Sequence, residues 1–232
     1  MSKTNRRRIK LDQDGTQYEQ PKPVEAKNQP QREFLSGLAT HDVNLFKAPA
    51  GVGKSYVAMS EVCDWLKSGK YEKCVISRPS VGMGNTLGLL PGTLQEKYEP
   101  YLLPLIDVIT MRYGRGWYDT ALRNGKIELV PLEYIRGRSF NCVVVVDEAQ
   151  NCTPDEIYTI LTRVGEGGKL ILIGDPTQTD LKGKTGIEWL AEFIKDNPDL
   201  SDHIKLVEAT SDDIVRSGLC KTIVKAKERS LK

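Results

Sequence analysis

Eight consecutive residues, Ala48-Pro49-Ala50-Gly51-Val52-Gly53-Lys54-Ser55, follow the pattern of a phosphate-binding loop. In such a loop, backbone N–H groups wrap a phosphate chain and the positive end of the following helix adds to the field. The lysine reaches the β- and γ-phosphates and the hydroxyl holds Mg2+. Lys54 and Ser55 stand at those two positions, and Gly51 and Gly53 let the backbone approach the ligand closely. The strict pattern opens on glycine. Here Ala48 stands first, which a backbone with negative φ accommodates without strain.

Two more stretches end in carboxylates. The apolar run Val143-Val144-Val145-Val146 leads into Asp147-Glu148-Ala149-Gln150. At the C-terminal end of a parallel strand such acids project into the crevice where ligands bind. Asp147 suits a Mg2+ held through water, and Glu148 suits a base that orients and deprotonates an attacking water. The run Leu170-Ile171-Leu172-Ile173 leads similarly into Gly174-Asp175-Pro176-Thr177-Gln178. Gln178 is placed to hydrogen-bond the γ-phosphate or its attacking water, and Asp175 joins the nucleotide-binding set. These elements favour water as the phosphoryl acceptor. Two other classes stay open: a kinase, which would need an acceptor pocket and usually an Arg-rich lid, and a nucleotide-regulated binding protein with little turnover.

The elements that must hold these residues alternate between strand and helix patterns. Strands are expected over Val43–Lys47, Cys74–Ser77, Ile127–Pro131, Cys142–Val146, Leu170–Gly174 and Ile204–Glu208. Helices are expected over Arg32–Leu38, Lys54–Lys67, within Tyr98–Arg112, from Thr153-Pro154 to Arg163, and over Gly186–Lys195, with Thr153 as N-cap and Pro154 at the first helical position. A Gly- and Pro-punctuated loop covers Arg78 to Gly92. The four-valine run, apolar throughout, predicts a central strand buried on both faces. The fold expected is α/β: a single phosphate-loop domain with a mostly parallel central sheet and helices on both faces.

The domain is placed at residues 28–220, between a polar, basic, unstructured tail at 1–27 and a basic tail at 221–232. The two tails carry +5 (residues 1–10) and +4 in a chain of net charge +2, so the body between them is at about −7. Basic tails on a mildly acidic body offer an electrostatic handle on nucleic acid; solvated tails without function are the other reading. Cys63, Cys74, Cys142, Cys152 and Cys220 are odd in number and widely spaced, which argues against a disulfide framework and a zinc site. With only His41 and His203, a histidine-built metal site is not expected. No apolar run reaches the ~20 residues that span a bilayer. A cytoplasmic protein without membrane contact is expected.

The combination A-P-A-G-V-G-K-S, V-V-D-E-A-Q-N and G-D-P-T-Q resembles the PhoH family, related to the RecA-like first lobe of superfamily 1 helicases. Ser77-Arg78-Pro79-Ser80-Val81, Leu87–Gly92, Pro100–Leu105, Tyr134-Ile135-Arg136-Gly137-Arg138 and Leu161-Thr162-Arg163 extend the resemblance over residues 31 to 217. Gly82, Asn85, Thr86 and Ser217 depart from the family pattern.

The resemblance implies a RecA-like ATPase using ATP and Mg2+, of compact phage type, which would place it in the cytoplasm of a bacterial host. By position it makes Gln31 the adenine-contacting glutamine and Arg216 an arginine finger. It implies a homo-oligomeric ring, a hexamer, in which Arg216 reaches a neighbour's ATP. It also implies a helicase-like action on single-stranded nucleic acid, RNA ahead of DNA. Arg78, Arg136 and Arg138 are candidate phosphate contacts and Tyr134 a candidate base-stacking residue. Structural ion pairs for the two later arginines and a core position for Tyr134 are the other readings.

Overall fold

The computed structural model describes residues 9–11, 17–19, 21–79, 93–135 and 137–230. The first two strands, β1 (Ile9–Leu11) and β2 (Gln17–Glu19), pair with each other antiparallel, inside the stretch expected to be an unstructured tail. Residues 21–27 also differ from that expectation. Val24 packs on the main core, Arg112 Nη2 donates to the Lys22 carbonyl (3.2 Å), and the Lys27 N–H donates to Gln31 Oε1 (2.8 Å).

Six further strands build one sheet: β3 (Val43–Lys47), β4 (Cys74–Ser77), β5 (Ile127–Leu129), β6 (Val143–Val146), β7 (Lys169–Gly174) and β8 (Ile204–Glu208). Their order is β5-β4-β6-β7-β3-β8, and every pairing is parallel. The four valines of β6 are all buried, as a strand covered on both faces requires. The fold is the expected RecA-like α/β type.

Along each strand, alternate side chains serve two cores. Phe46, Ile76, Val145 and Ile173 belong to one, and Leu45, Val75, Val144 and Leu172 to the other. The period of two in a β-strand sends successive side chains to opposite faces, so both faces must be covered. The first face is covered by α1 (Gln29–Thr40), α2 (Lys54–Ser68), the short α3 (Leu94–Tyr98), α4 (Leu103–Tyr113) and α5 (Arg115–Arg123). The second is covered by α6 (Pro154–Leu161) and α7 (Gly186–Asp196), each opened by a capping box, Thr153 with Glu156 and Thr185 with Glu188. Such boxes satisfy N–H groups that the first turn leaves without intrahelical partners.

Three helices were not anticipated, the short α3 among them. Helix α5 starts directly after Gly114, whose φ of +82° breaks α4, and no side chain caps it. The expected basic tail is α8 (Gly218–Ser230), held by Cys220 and Val224 against the first core and by Ser211 Oγ on Glu228 (2.7 Å). Only those two core contacts, four residues apart among lysines, could have signalled it.

At the N-terminal end of β7, Lys169 is 6 % exposed. Its ammonium donates to the carbonyls of Leu38 (2.8 Å) and His41 (2.5 Å), where α1 ends. Cations are favoured at the negative end of a helix, although burial lowers this lysine's pKa to about 8. The contact pins α1, which carries Gln31 near its other end, to the sheet. Lys169→Ala is expected to lower the unfolding free energy by about 1–3 kcal/mol, because it removes charge-assisted bonds from the Leu38 carbonyl and from the His41 carbonyl, which keeps only Asn44 Nδ2 (3.1 Å). Urea titration of both proteins checks this.

Candidate functional site

Strands β6, β7 and β3 are adjacent and parallel, so the three motifs that follow them emerge side by side at one edge. The Ala48 N–H donates to the Gly174 carbonyl (3.0 Å) just beyond the paired ends of β3 and β7. The resulting cleft, about 510 Å³, is lined by Gln31, Ala50, Gly51, Gly53, Lys54, Ser55, Asp147, Glu148, Asp175, Gln178 and Arg216, among others. It brings together the five residues expected to act in catalysis, Lys54, Asp147, Glu148, Gln178 and Arg216, while Ala48, Pro49 and Val52 of the loop do not line it; Glu25, Lys27 and Tyr56, which the sequence did not single out, do.

The phosphate loop turns on two left-handed glycines, Gly51 at φ +86° and Gly53 at φ +93°. A Cβ on Gly53 would lie 2.7 Å from Gln31 Nε2, and one on Gly51 would lie 3.0 Å from Cys220 Sγ. The positive φ makes glycine the favoured residue at both, and the space beside each is tight. Ala48 is not among the residues with positive φ, which is why alanine is tolerated there. Lys54 Nζ donates to the carbonyls of Ala48 (2.6 Å) and Pro49 (3.0 Å), folding the ammonium over its own loop. Burial lowers its pKa, opposed by the charges of Asp175, Asp147 and Glu148.

Gln31 is 3 % exposed, and Nε2 donates to the Val52 carbonyl (2.7 Å) while Oε1 accepts from the Lys27 N–H (2.8 Å). It stands against the loop, at the side of the cleft where Tyr56 is 39 % exposed. Asp175 lines the cleft and is bound on both carboxylate oxygens within the protein. Oδ2 accepts from the Ala50 N–H (2.9 Å) and Gln178 Nε2 (2.7 Å), and Oδ1 accepts from Thr177 N–H and Oγ1 (2.9 and 2.7 Å). One carboxylate thus ties the phosphate loop to the turn that presents Gln178.

The acidic pair sits opposite Lys54. Asp147 is 7 % exposed, and its pKa is raised to about 6 by burial first and by the neighbouring Glu148 charge second. Glu148 adopts φ +53°, the one positive φ outside glycine among the described residues. Its Oε2 accepts a short hydrogen bond from Gln150 Nε2, and its Oε1 lies 3.8 Å from Arg78 Nη2.

Gln150 is the residue that sequence reasoning overlooked, although it stands in the D-E-A-Q segment. Fully buried, it also accepts from the Asp175 N–H (3.0 Å) and donates to the Gln178 carbonyl (3.3 Å). Its carboxamide therefore joins the end of β6 to the end of β7. The only sequence signal was a polar residue immediately after the acids.

Ser55 Oγ at the start of α2 and the Asp147 carboxylate form an oxygen donor set that fits a hard divalent ion shared with phosphates.

Arg216 lies on the exposed rim of its own chain's cleft. The Val215 N–H donates to the Gly51 carbonyl (3.1 Å), and Arg216 Cβ packs beside Gly51. Of the nucleic-acid candidates, Arg138 makes a two-pronged ion pair with Glu128 (3.0 and 2.9 Å), and with Lys73 on the same carboxylate it pulls that group's pKa down to about 2. Tyr134 is 60 % exposed, and Arg136 lies outside the described residues, as do Gly82, Asn85 and Thr86.

Residues 23–228 match the family described as PhoH-like protein. The chain belongs to the PhoH family. It is 38 % identical over 211 residues to the PhoH-like protein of Bacillus subtilis, covering 90 % of this chain and 65 % of that one. It is 33 % identical over 209 residues to Protein PhoH of Escherichia coli, covering 88 % and 58 %. The chain thus spans under two thirds of the length of these relatives. Among solved structures, it resembles the large terminase of a thermophilic bacteriophage (TM-score 0.52, 14 % identity, 88 % of this chain and 50 % of that one). It also resembles the HK97 bacteriophage large terminase (TM-score 0.51, 13 % identity, 86 % and 46 %). These two likenesses carry the fold alone. The family match and the architecture make this a nucleotide-binding domain of the phosphate-loop ATPase type.

The Asp147 shift has a stability consequence. Its folded-state pKa is above the ordinary value of 3.8, so the folded form holds the proton more tightly. The resulting stabilisation is complete below pH 4 and is lost as pH rises through about 6. Asp147→Asn, which cannot ionise, should therefore gain stability over the unliganded parent as pH rises from 4 to 7, by on the order of 2 kcal/mol. Thermal unfolding at both pH values reads the difference; an equal offset at each would count against it.

Proposed function

We propose that this PhoH-family chain hydrolyses ATP with Mg2+ and couples the reaction to remodelling or unwinding of single-stranded nucleic acid, RNA ahead of DNA. The observation that carries hydrolysis is the pairing of Glu148 with Gln178 through Gln150, beside a phosphate loop bearing Lys54 and Ser55. A site that only bound nucleotide would have no need of a held carboxylate where the γ-phosphate points.

In this reading Lys54 leaves its loop carbonyls for the β- and γ-phosphates, and the backbone N–H groups of residues 50–54 wrap them. Ser55 and Asp147 hold the metal, whose charge neutralises the phosphate oxygens. Glu148 takes a proton from water, the water oxygen bonds to the γ-phosphorus, and the bond to the bridging oxygen of ADP breaks. Gln178 orients that water. Arg216, on the rim, offsets charge on the departing phosphate within its own chain. Gln31 and Tyr56 flank the base.

Support for a nucleic-acid track comes from the edge bearing the acidic pair. Exposed Tyr134 presents a stacking face there, on the turn whose Leu132 N–H donates to the Arg78 carbonyl (3.4 Å). A homo-oligomeric ring, six subunits in this proposal, would give the open cleft a second wall.

Phosphate release with and without oligouridylate or oligothymidylate tests the whole reading. Lys54→Ala should abolish turnover, and Gln150→Leu should lower kcat about tenfold or more while leaving ADP affinity within a factor of two or so. No phosphate release by the parent would leave a nucleotide-regulated binding protein, and a phosphorylated product would point to a kinase. Mixing Lys54→Ala with Arg216→Ala subunits should recover no activity, since Arg216 lies at its own cleft; recovery would show action across subunits. Light scattering with ATP and Mg2+ checks the ring, which a monomer at micromolar concentration would rule out.

A further inference from the structure

Glu148 is held from two sides. One carboxylate oxygen accepts from Gln150 Nε2, and the other lies 3.8 Å from Arg78 Nη2. The two holds differ in kind. Gln150 is fully buried and bound at three other places on the cleft floor or beneath it, counting its own backbone. Arg78 is partly exposed, and its guanidinium is forked: Nη1 donates to the Tyr101 carbonyl (3.0 Å) while Nη2 faces Glu148.

The backbone of Arg78, by contrast, is fixed. Its N–H donates to Tyr98 Oη (2.6 Å), and its carbonyl accepts from the Tyr98 hydroxyl (3.0 Å) and the Leu132 N–H (3.4 Å). The last bond leads directly into the turn carrying exposed Tyr134. A guanidinium in contact with the base of the proposed reaction is thus mounted on the turn that presents an aromatic face to solvent.

We propose that Arg78 is the residue through which a bound single strand controls hydrolysis. Without a strand, its guanidinium restrains Glu148 by the oxygen that Gln150 leaves over, and the carboxylate is poorly placed to take a proton from water. A strand stacked on Tyr134 brings a backbone phosphate to Arg78. The partly solvated pair at 3.8 Å is weak, whereas a guanidinium and a phosphate form two parallel charge-assisted bonds. The phosphate wins the guanidinium, Glu148 swings on its Gln150 hydrogen bond, and hydrolysis proceeds by the step already written. This inference rests on the reading of the chain as a strand-dependent ATPase.

The test is steady-state phosphate release by the full chain and by the Arg78→Gln, Glu148→Gln and doubly substituted proteins, each with and without oligouridylate. Arg78→Gln should raise the strand-free rate about tenfold, toward the stimulated rate of the parent, and the strand should then add little. The double variant should be inactive, showing that the rise acts through Glu148. An Arg78→Gln protein that binds fluorescent ADP normally but is no faster than the parent overturns the hold on Glu148, as does one that keeps the parent's stimulation ratio. A parent indifferent to the strand, with Arg78→Gln still faster, overturns the strand reading and leaves the hold standing. If Arg78→Gln does not fold, Arg78→Met, which keeps an unbranched stem but has neither charge nor N–H donor for Tyr101 or Glu148, must show the same rise.

Discussion

Because β6, β7 and β3 run parallel and lie next to one another, their outgoing loops have one edge on which to emerge. An antiparallel neighbour would have delivered one of the three motifs to the far side of the sheet. The acidic pair, the Gln178 turn and the phosphate loop meet only because each is the first segment after one of these strands. Their closeness then demands cross-links, since loops at a strand edge have backbone groups that the sheet no longer satisfies. Asp175 bonds the N–H of Ala50, and Gln150 bonds that of Asp175. Two polar side chains turn three adjacent loops into one rigid floor.

Charge within that floor is arranged for a ligand. Lys54 turns back to carbonyls of its own loop, and Asp147 sits in surroundings that favour its protonated form. Each group is held in a second-best environment that phosphate and a divalent ion would improve. Much of the binding energy of such a ligand would come from relieving these two burial costs.

How much of this was legible depended on how far each signal reached along the chain. The strand with four valines and the helix after Lys54 are local patterns, and their bounds agree with the structure to within a residue. The helix capped by Thr153 and Pro154 begins where expected but ends two residues sooner. The C-terminal helix was not legible because its register depends on two core contacts, Cys220 and Val224, and on Asp212 and Ser211 in a preceding turn. Glu25 and Lys27 reach the cleft because residues 21–27 are held by contacts that include Val24 on the main core and Arg112, far away in sequence, on the Lys22 carbonyl. Arg138 shows the same limit in reverse. Its sequence left phosphate contact and a structural ion pair both open, and the partner of that ion pair, Glu128, lies across a turn that spacing alone does not close.

The left-handed backbone of Glu148 sets it apart from every other non-glycine residue among the described residues. A side chain at that φ costs about 1 kcal/mol that glycine would not incur. Selection for thermal robustness alone would therefore favour replacing Glu148 with glycine or asparagine, and would remove the carboxylate in the same step. Laboratory evolution of this domain toward higher melting temperature should thus be run under a demand for turnover, or its most accessible improvement will be one that silences the site.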